Sequence, residues 1–442
     1  MKGSAFKSIL FLFSGFLVIL NSSHVLSATF CVGTASDLIT ALSTATSNGE
    51  DDIIRVQRGT YYGNFSFSSI EDTDIAVLGG YGFACTDREI DPTNSVIDAE
   101  GIGTPLSFNK YSDGDVVLEG LTLKNGGNMG LYIRLINESG GNVGSIDVRN
   151  NIIAHNQTTG GIYVGSENNP PHTPGPIRFS SNVIAGNISD YGGGGLTMQI
   201  NWENNSSDVV LTNNVIVGNI GADTSGGVFV YLGTATPVYI VNNTIVGNQA
   251  IGASSDSGGL YIGNFSNCEL YIYNNIIRGN TAENGVSDIW FYNYGTSRMG
   301  FNNNYSEIFG TWTDSGNNLD VDPQFVLSGY WNDNGTSGDP TDDYWDDGDY
   351  HLREVSQCID AGFGSPPELT ATDFEGDQRV IDGDNDGVAE PDIGADEHAY
   401  HCQGDFNMDG DVDGYDLIEL ITGTEILDLS VFASEFGRIN CQ

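Results

Sequence analysis

The sequence predicts an all-β solenoid, a parallel β-helix, and three observations carry that expectation. One unit recurs five times: Asn151-Ile-Ile-Ala-His-Asn156, Asn182-Val-Ile-Ala-Gly-Asn187, Asn214-Val-Ile-Val-Gly-Asn219, Asn243-Thr-Ile-Val-Gly-Asn248 and Asn275-Ile-Ile-Arg-Gly-Asn280, with leading asparagines 31, 32, 29 and 32 residues apart. A repeat of this size cannot bury its own apolar face, so successive copies must stack. Between the units run short alternating segments such as Ser145-Ile-Asp-Val-Arg149, Pro237-Val-Tyr-Ile-Val241 and Glu269-Leu-Tyr-Ile-Tyr273. Their period of two is that of a half-buried strand. Asn and Gly recur at fixed places between these runs, as residues that turn a chain repeatedly in register must.

Taken in order, the chain opens with Lys2 and Lys7, an apolar run from Ile9 to Leu20 and a polar stretch ending Val25-Leu-Ser-Ala28. That is the layout of a secretory leader, and the run falls short of the roughly 20 apolar residues of a membrane span. Residues 1–28 are therefore expected to be removed, leaving no membrane span. Ser36 to Thr46 reads as a short amphipathic helix with Ser36 as N-cap, placed before the strand Ile53-Ile-Arg-Val56. Within 29–397, residues 29–52 should thus plug the N-terminal end of the stack, which would otherwise expose strand edges.

Aligned on their Asn pairs, the coils place Ile146 and Val148 in line with Ile177 and Phe179, Val209 and Leu211, Val238 and Ile240, and Leu270 and Ile272. These side chains should point inward and stack rung on rung, in about ten coils. Each corner Asn is expected to take left-handed dihedrals and to hydrogen-bond along a stack of identical amides. Gly160-Gly161, Gly192 to Gly195, Gly226-Gly227 and Gly258-Gly259 are expected to form a second corner with positive φ. After Asn304 the period decays into an irregular acidic closing segment, 305–397, containing Asn317 to Phe325, Asp349 to Leu352, Cys358 to Gly362 and Asp392 to Glu397.

From Ile53 to Glu397 the chain resembles the secreted bacterial right-handed parallel β-helix proteins of the pectate-lyase-like superfamily. The resemblance implies a right-handed coil and a capped, exported solenoid. It does not imply one activity, because that fold hosts many.

A net charge of -44 with 15 Lys and Arg argues against nucleic acid or an anionic membrane as partner. Six cysteines in an exported chain suggest disulfides. Position favours Cys31 with Cys85 and Cys402 with Cys441, leaving Cys268 and Cys358 as a further bridge or as buried thiols.

The clearest chemical motif is Asp405-Phe-Asn-Met-Asp-Gly-Asp-Val-Asp-Gly-Tyr-Asp416. It sets side-chain oxygens of Asp405, Asn407, Asp409, Asp413 and Asp416 at loop positions 1, 3, 5, 9 and 12. The carbonyl of Asp411 falls at position 7 and Gly410 at the sharp turn, which is the donor set a calcium ion requires. Together with the helices expected at Leu417 to Ile421 and Leu429 to Phe436, residues 398–442 resemble a dockerin, the calcium-loop module that docks secreted enzymes onto cohesin partners. A dockerin has two such loops, and the region from Thr424 to Asp428 lacks the ligands of the second. Calcium binding and cohesin docking are thus separate expectations. A second acidic loop carries Asp382, Asp384 and Asp386 on alternate residues before Gly387, with Ile393 where a twelfth-position acid would stand. It reads either as a further calcium loop or as an Asp/Gly turn cluster.

One outward strand position reads Tyr132, Tyr163, Thr197, Phe229, Tyr261 and Trp290 in successive coils. Rungs about 4.8 Å apart match the length of a sugar unit, so this stripe either stacks a glycan or stacks on itself. Asp190, Asp223 and Asp256 precede the glycines at 33-residue intervals. They are candidates for acid/base work on a glycosidic bond, for cation holding or for capping turns. Arg149 and Arg178, on the outer face of neighbouring coils, are the candidates for a lyase centre. His155 and His172 have no partner recognisable from spacing, and no nucleophile elbow, zinc motif or phosphate loop occurs. The expected function is an exported, monomeric, calcium-binding solenoid presenting a surface to polysaccharide or cell-surface glycan. The alternative is a polysaccharide lyase or glycoside hydrolase.

Overall fold

The computed structural model describes residues 27–137, 142–168, 175–202, 207–233, 235–264, 268–286, 288–293, 295–303, 308–336 and 343–399, with residues 412, 414, 415, 417, 418, 432, 436 and 437 of the tail. Its strands form three long sheets, every pairing in them parallel. The first has eleven strands, from Ser27–Val32 to Thr313–Asp314; the second has eight, from Gly59–Tyr62 to Ile276–Arg278; the third has nine, from Phe65–Ser69 to Ile308–Phe309. A coil such as Val209–Thr212, Val215–Val217 and Val228–Leu232 gives one strand to each in turn. This is a solenoid of the parallel β-helix type.

The alternation read from the sequence sets the register. Val148 pairs with Phe179, Phe179 with Leu211, Leu211 with Ile240 and Ile240 with Ile272, all fully buried. Each such side chain contributes roughly 1.5 to 3 kcal/mol of burial free energy.

At the corners the two properties expected of one asparagine are divided between neighbours. Asn150, Ser181, Asn213, Asn242 and Asn274 take the left-handed conformation. The next residues, Asn151, Asn182, Asn214, Asn243 and Asn275, form the ladder: each amide nitrogen donates to the next coil's side-chain oxygen at 2.9 to 3.1 Å. A second ladder, Asn156, Asn187, Asn219, Asn248 and Asn280, stands beyond the next strand, each member preceded by left-handed His155, Gly186, Gly218, Gly247 or Gly279. These amides are buried and satisfied, which a polar group inside a core must be.

The Gly pairs behave differently from the expectation of positive φ. Gly160 and Gly192 are left-handed, whereas Gly226, Gly227, Gly258 and Gly259 are not. Close approach explains Gly226, Gly227 and Gly259: a Cβ on Gly227 would lie 2.6 Å from the carbonyl oxygen of Gly259 on the next coil.

The N-terminal plug is the helix Ala35–Ala45, with Leu38, Ala41, Leu42 and Ala45 buried. Its N-cap is Thr34 rather than the expected Ser36: the Thr34 hydroxyl accepts from Asp37 N at 3.2 Å, and Ser36 lies inside the first turn. Cys31 and Cys85 are disulfide-bonded, tying the edge strand to the turn after the third strand of the first sheet. Cys268 and Cys358 are buried thiols, and Cys402 and Cys441 lie outside the described residues.

The segment expected to close the solenoid runs back along its flank. Phe325, Trp345, Tyr350, Leu352, Ile393 and Ala395 pack against Ala154, Ala185, Val215, Val217 and Ile276, the outward side chains of the eight-stranded sheet. From Ile152–Ala154 to Ile276–Arg278 that sheet is therefore covered on its outer face as well, as its apolar triplets require. Left-handed Asn242 donates to the carbonyls of Asp392 and Gly394, and Asn274 exchanges hydrogen bonds with the Phe363 backbone. The bare corner glycines leave room for the Trp345 indole, which lies against Gly186, Gly218 and Gly247.

Candidate functional site

With one flank strapped, the nine-stranded sheet is where outward side chains make an aromatic row, interrupted at Thr197. Leu131, Ile162, Leu196, Val228, Leu260 and Ile289 point inward and are buried, which turns their neighbours outward. Register then aligns Tyr132, Tyr163, Thr197, Phe229, Tyr261, Trp290 and Phe309. The rings stack face to face: Tyr132 on Tyr163 at 5.4 Å, Phe229 on Tyr261 at 5.0 Å, Tyr261 on Trp290 at 4.6 Å and Trp290 on Phe309 at 5.4 Å. Tyr261 and Trp290 thus have both faces covered, and present their edges to solvent. Among the described residues the row is broken at Thr197 and ends at Tyr132, whose partner on the preceding coil is Ser107. Burial, with the charge of Asp256 and then Tyr231, pushes the Tyr261 hydroxyl up to about 12, so it is a neutral donor at all ordinary pH. The Tyr163 hydroxyl donates to Gln199 Oε1 at 3.1 Å.

Phe309 extends the stripe beyond the sequence reading, because the period has already decayed there. A second ladder on the eleven-stranded sheet, Tyr239 on Tyr271 at 5.1 Å with the Arg298 guanidinium over Tyr271, was legible in the alternation but hidden among surface positions of mixed type.

The three aspartates do not stack. Ser189 pairs with Gly221, which puts Asp190 opposite Ala222 rather than Asp223. Asp256 is the extra residue where Thr224 pairs with Ser255 and Ser225 with Ser257. Burial alone raises the Asp256 carboxyl, with no neighbouring carboxylate contributing. The mutual repulsion that would set one acid against another is not assembled here.

Both candidate arginines are engaged. Arg149 pairs with Glu119 at 2.7 Å and with Asp147, while Arg88 reaches Glu119 from the other side at 2.6 Å. Burial pushes the Glu119 carboxyl up, but the hydrogen bonds and charges of Arg149 and Arg88 outweigh it and hold Glu119 below the usual range. Arg178 pairs with Glu368 of the flanking strap at 2.7 Å.

Of the second acidic loop, Asp382 and Asp384 come together with Asp360, an alliance no spacing in the sequence announced; their carboxylate oxygens lie within 4.8 Å of one another. Asp386 is turned away, its carboxylate accepting from Val388 N at 2.8 Å. Asp360 also accepts the amides of Asp384 and Glu390, yet burial keeps its carboxyl raised. Three carboxylates at such spacing form the oxygen donor set that suits a hard divalent cation. Asp405, Asn407, Asp409, Asp411, Asp413 and Asp416 lie outside the described residues.

Nearby, a cavity of about 570 Å³ is lined by His351, Arg353, Asp377, Asp396 and His398 among others. The Glu375 carboxylate at 2.6 Å, against the opposing effect of burial and with help from Asp349 at 2.5 Å, pushes His351 up to about 10. His351 is therefore a fixed cation joining two carboxylates, a role the sequence did not signal.

Comparison with known proteins gives no match: no family model, no curated protein and no solved structure matches this chain. The likenesses to pectate-lyase-like proteins and to dockerins rest on residues and spacing alone. Among the described residues no helix is long and apolar enough to cross a membrane.

Proposed function

We propose that this chain is an exported, calcium-stabilised solenoid that binds neutral polysaccharide or cell-surface glycan through the outer face of its nine-stranded sheet. The observation that carries this reading is the outward aromatic row on that sheet, bordered by the short or polar side chains Ser107, Asn109, Thr197 and Gln199. Rings beside hydroxyl and amide groups suit ligands that offer both C–H faces and hydroxyls. A net charge of -44 disfavours polyanionic glycans. Neither the aspartates nor the arginines form a paired acid/base centre, so binding is favoured over turnover.

Affinity electrophoresis through gels containing neutral and acidic polysaccharides tests this directly. Retardation by a neutral glycan, relieved in Tyr132→Ala, whose ring stacks on Tyr163 on one side and has Ser107 as its register partner on the other, is expected. No retardation by any glycan overturns the proposal, and turnover of a glycan abolished by Asp223→Asn replaces binding with hydrolysis.

Calcium is proposed at Asp360, Asp382 and Asp384, and at the loop from Asp405 to Asp416. The C-terminal loop also leaves a cohesin-type partner as its docking target. Calcium should raise the thermal midpoint and a chelator lower it, with part of the effect lost in Asp382→Asn/Asp384→Asn. An unchanged midpoint with and without calcium would remove the ion from the proposal.

A further inference from the structure

The cavity of about 570 Å³ belongs to the strap that covers the eight-stranded sheet, away from the aromatic row, and the glycan-binding reading makes no use of it. Its floor is Leu352, Asp396 and Glu397, all buried, and its rim includes the exposed Val326, Val355 and Asp377. Mostly apolar walls with a polar group at the bottom suit a small molecule that is anchored at one end.

The cations around the cavity are engaged. His351 stands between Asp349 at 2.5 Å and Glu375 at 2.6 Å, Arg353 Nη2 donates to the Val326 carbonyl, and Arg379, without exposure, pairs with Glu397. The Asp396 carboxylate is engaged on one side. Its Oδ2 accepts from Leu352 N at 2.7 Å, whereas Oδ1 accepts from no described residue. Asp396 is 5% exposed and lines the cavity, and Oδ1 is not among the atoms sealed from solvent, so this oxygen is the one the cavity reaches. A carboxylate oxygen held at such depth without a donor is costly, and an N–H from a ligand would satisfy it. A bare metal ion is not that ligand: among the described residues, only Asp360, Asp382 and Asp384 bring three donor atoms close enough to hold one.

We infer that this cavity binds a small organic ammonium ion, a primary amine on a short apolar body, whose N–H donates to Asp396 Oδ1 while its carbon chain lies against Leu352 and Val355. An alcohol of the same length lacks the charge. An anion meets Asp396 and Asp377 with His351 and Arg353 already taken. The site is separate from the glycan-binding face, and neither reading depends on the other.

Binding should follow the ionisation of Asp396. Burial lifts its carboxyl to about 6, opposed by the Leu352 amide and by His351; Asp373 raises it and Arg379 lowers it. The other titratable or charged groups around it are Arg353, Glu354, Asp377, Asp392, Glu397 and His398. At about pH 7.5 the carboxylate is charged, and at about pH 5 roughly nine-tenths of it is protonated, while an alkylammonium stays charged throughout. Affinity should therefore fall about tenfold on acidification.

The test is an NMR titration of the whole protein, at physiological ionic strength, with n-pentylammonium, 1-pentanol and pentanoate. At about pH 7.5 the ammonium should bind at least about tenfold more tightly than the other two, the worth of one hydrogen bond to a charged group. Asp396→Asn keeps an acceptor for Leu352 N and should weaken the ammonium by about tenfold or more and abolish its pH dependence. Ammonium binding unchanged in Asp396→Asn is diffuse attraction to a chain of net charge -44 and overturns the site. Pentanol that binds as tightly overturns it as well. So does a wild-type affinity that is the same at pH 5 and pH 7.5, a result that requires no variant to fold, and so does the absence of any binding.

Discussion

Arg379 Nη2 donates to Asn213 Oδ1 across 3.0 Å, although 166 residues separate them. Asn213 is a left-handed corner of the solenoid, and Arg379 is the buried hub of the strap that covers its flank. The same guanidinium donates to the carbonyls of Ala395 and Asp396 and pairs with Glu397 at 3.1 Å. The strap is thus clamped to the coil corners by one charged group with no exposure to solvent.

Removing that charge strands its partner. Arg379→Met keeps the volume but leaves Glu397 buried without a cation, beside Asp392, whose carboxyl is already well raised by burial and by Glu397. Breaking one side of such a pair costs about 3 to 5 kcal/mol. Hydrogen exchange should show residues 360–397 opening while the Asn-ladder amides stay protected. Uniform loss of protection across both would show that strap and solenoid unfold as one unit.

Trp345 and Gly218 are a matched pair. A Cβ on Gly218 would lie 2.1 Å from Trp345 Cδ2, at a φ of +62°. Trp345→Ala should cost about 3 to 5 kcal/mol through the cavity it leaves. Gly218→Ala should cost less in that background than in the wild type, because the clash is then gone. A double-mutant cycle by denaturant unfolding measures the coupling, and strict additivity would contradict the contact.

How far the sequence reached depends on which interactions repeat. The inward row from Val148 to Ile272 and both Asn ladders were legible because each coil rewrites the same instruction. The strap was not, because its partners meet once: nothing in the spacing of Asp360 and Asp382, or of Trp345 and Gly218, marks them as neighbours. One signal for it was present. Val215-Ile-Val217 is buried on both faces, and the similar triplets Ile152 to Ala154 and Val183 to Ala185 lack the polar alternation of a solvent-facing strand, so an outer cover was implied. In the aromatic row, sequence gave the ring positions, while the stacking that covers their faces depends on side-chain angles that period alone does not set.

Stability should fall as pH rises through the range where Asp396 titrates. Burial, opposed by the Leu352 amide, lifts its carboxyl to about 6, against about 3.9 for an unfolded Asp. The folded form holds the proton more tightly, so its contribution is complete below about pH 4 and is lost by about pH 6. A shift of this size is worth about 3 kcal/mol. Asp396→Asn keeps an acceptor for Leu352 N and should gain stability relative to wild type above pH 6. Glu119 acts in the opposite sense: its lowered value stabilises the fold above about pH 4, and that is lost on further acidification. Thermal midpoints from pH 2 to 8 separate the two, and a constant difference between Asp396→Asn and wild type would refute the assignment.

Adjacent asparagines of the same corner should respond in opposite ways. Asn150 is left-handed at φ +52°, so Asn150→Gly removes strain and gives up only one long hydrogen bond, from Asn150 Nδ2 to Glu119 Oε1 at 3.5 Å, and should change stability by less than about 1 kcal/mol. Asn151 is buried in the ladder. Its side-chain oxygen accepts from Leu121 N at 3.0 Å, and its amide nitrogen donates to Leu118 O at 3.1 Å, Arg149 O at 2.8 Å and Asn182 Oδ1 at 3.1 Å. Asn151→Ala leaves at least the Leu121 amide and the Leu118 carbonyl without these partners, at about 1 to 3 kcal/mol each. The expected loss is therefore several kcal/mol, read as a fall in the denaturant midpoint. Equal effects from the two substitutions would mean that the ladder contributes no more than the turn, and that the stacked amides are a consequence of the coil rather than a cause of it.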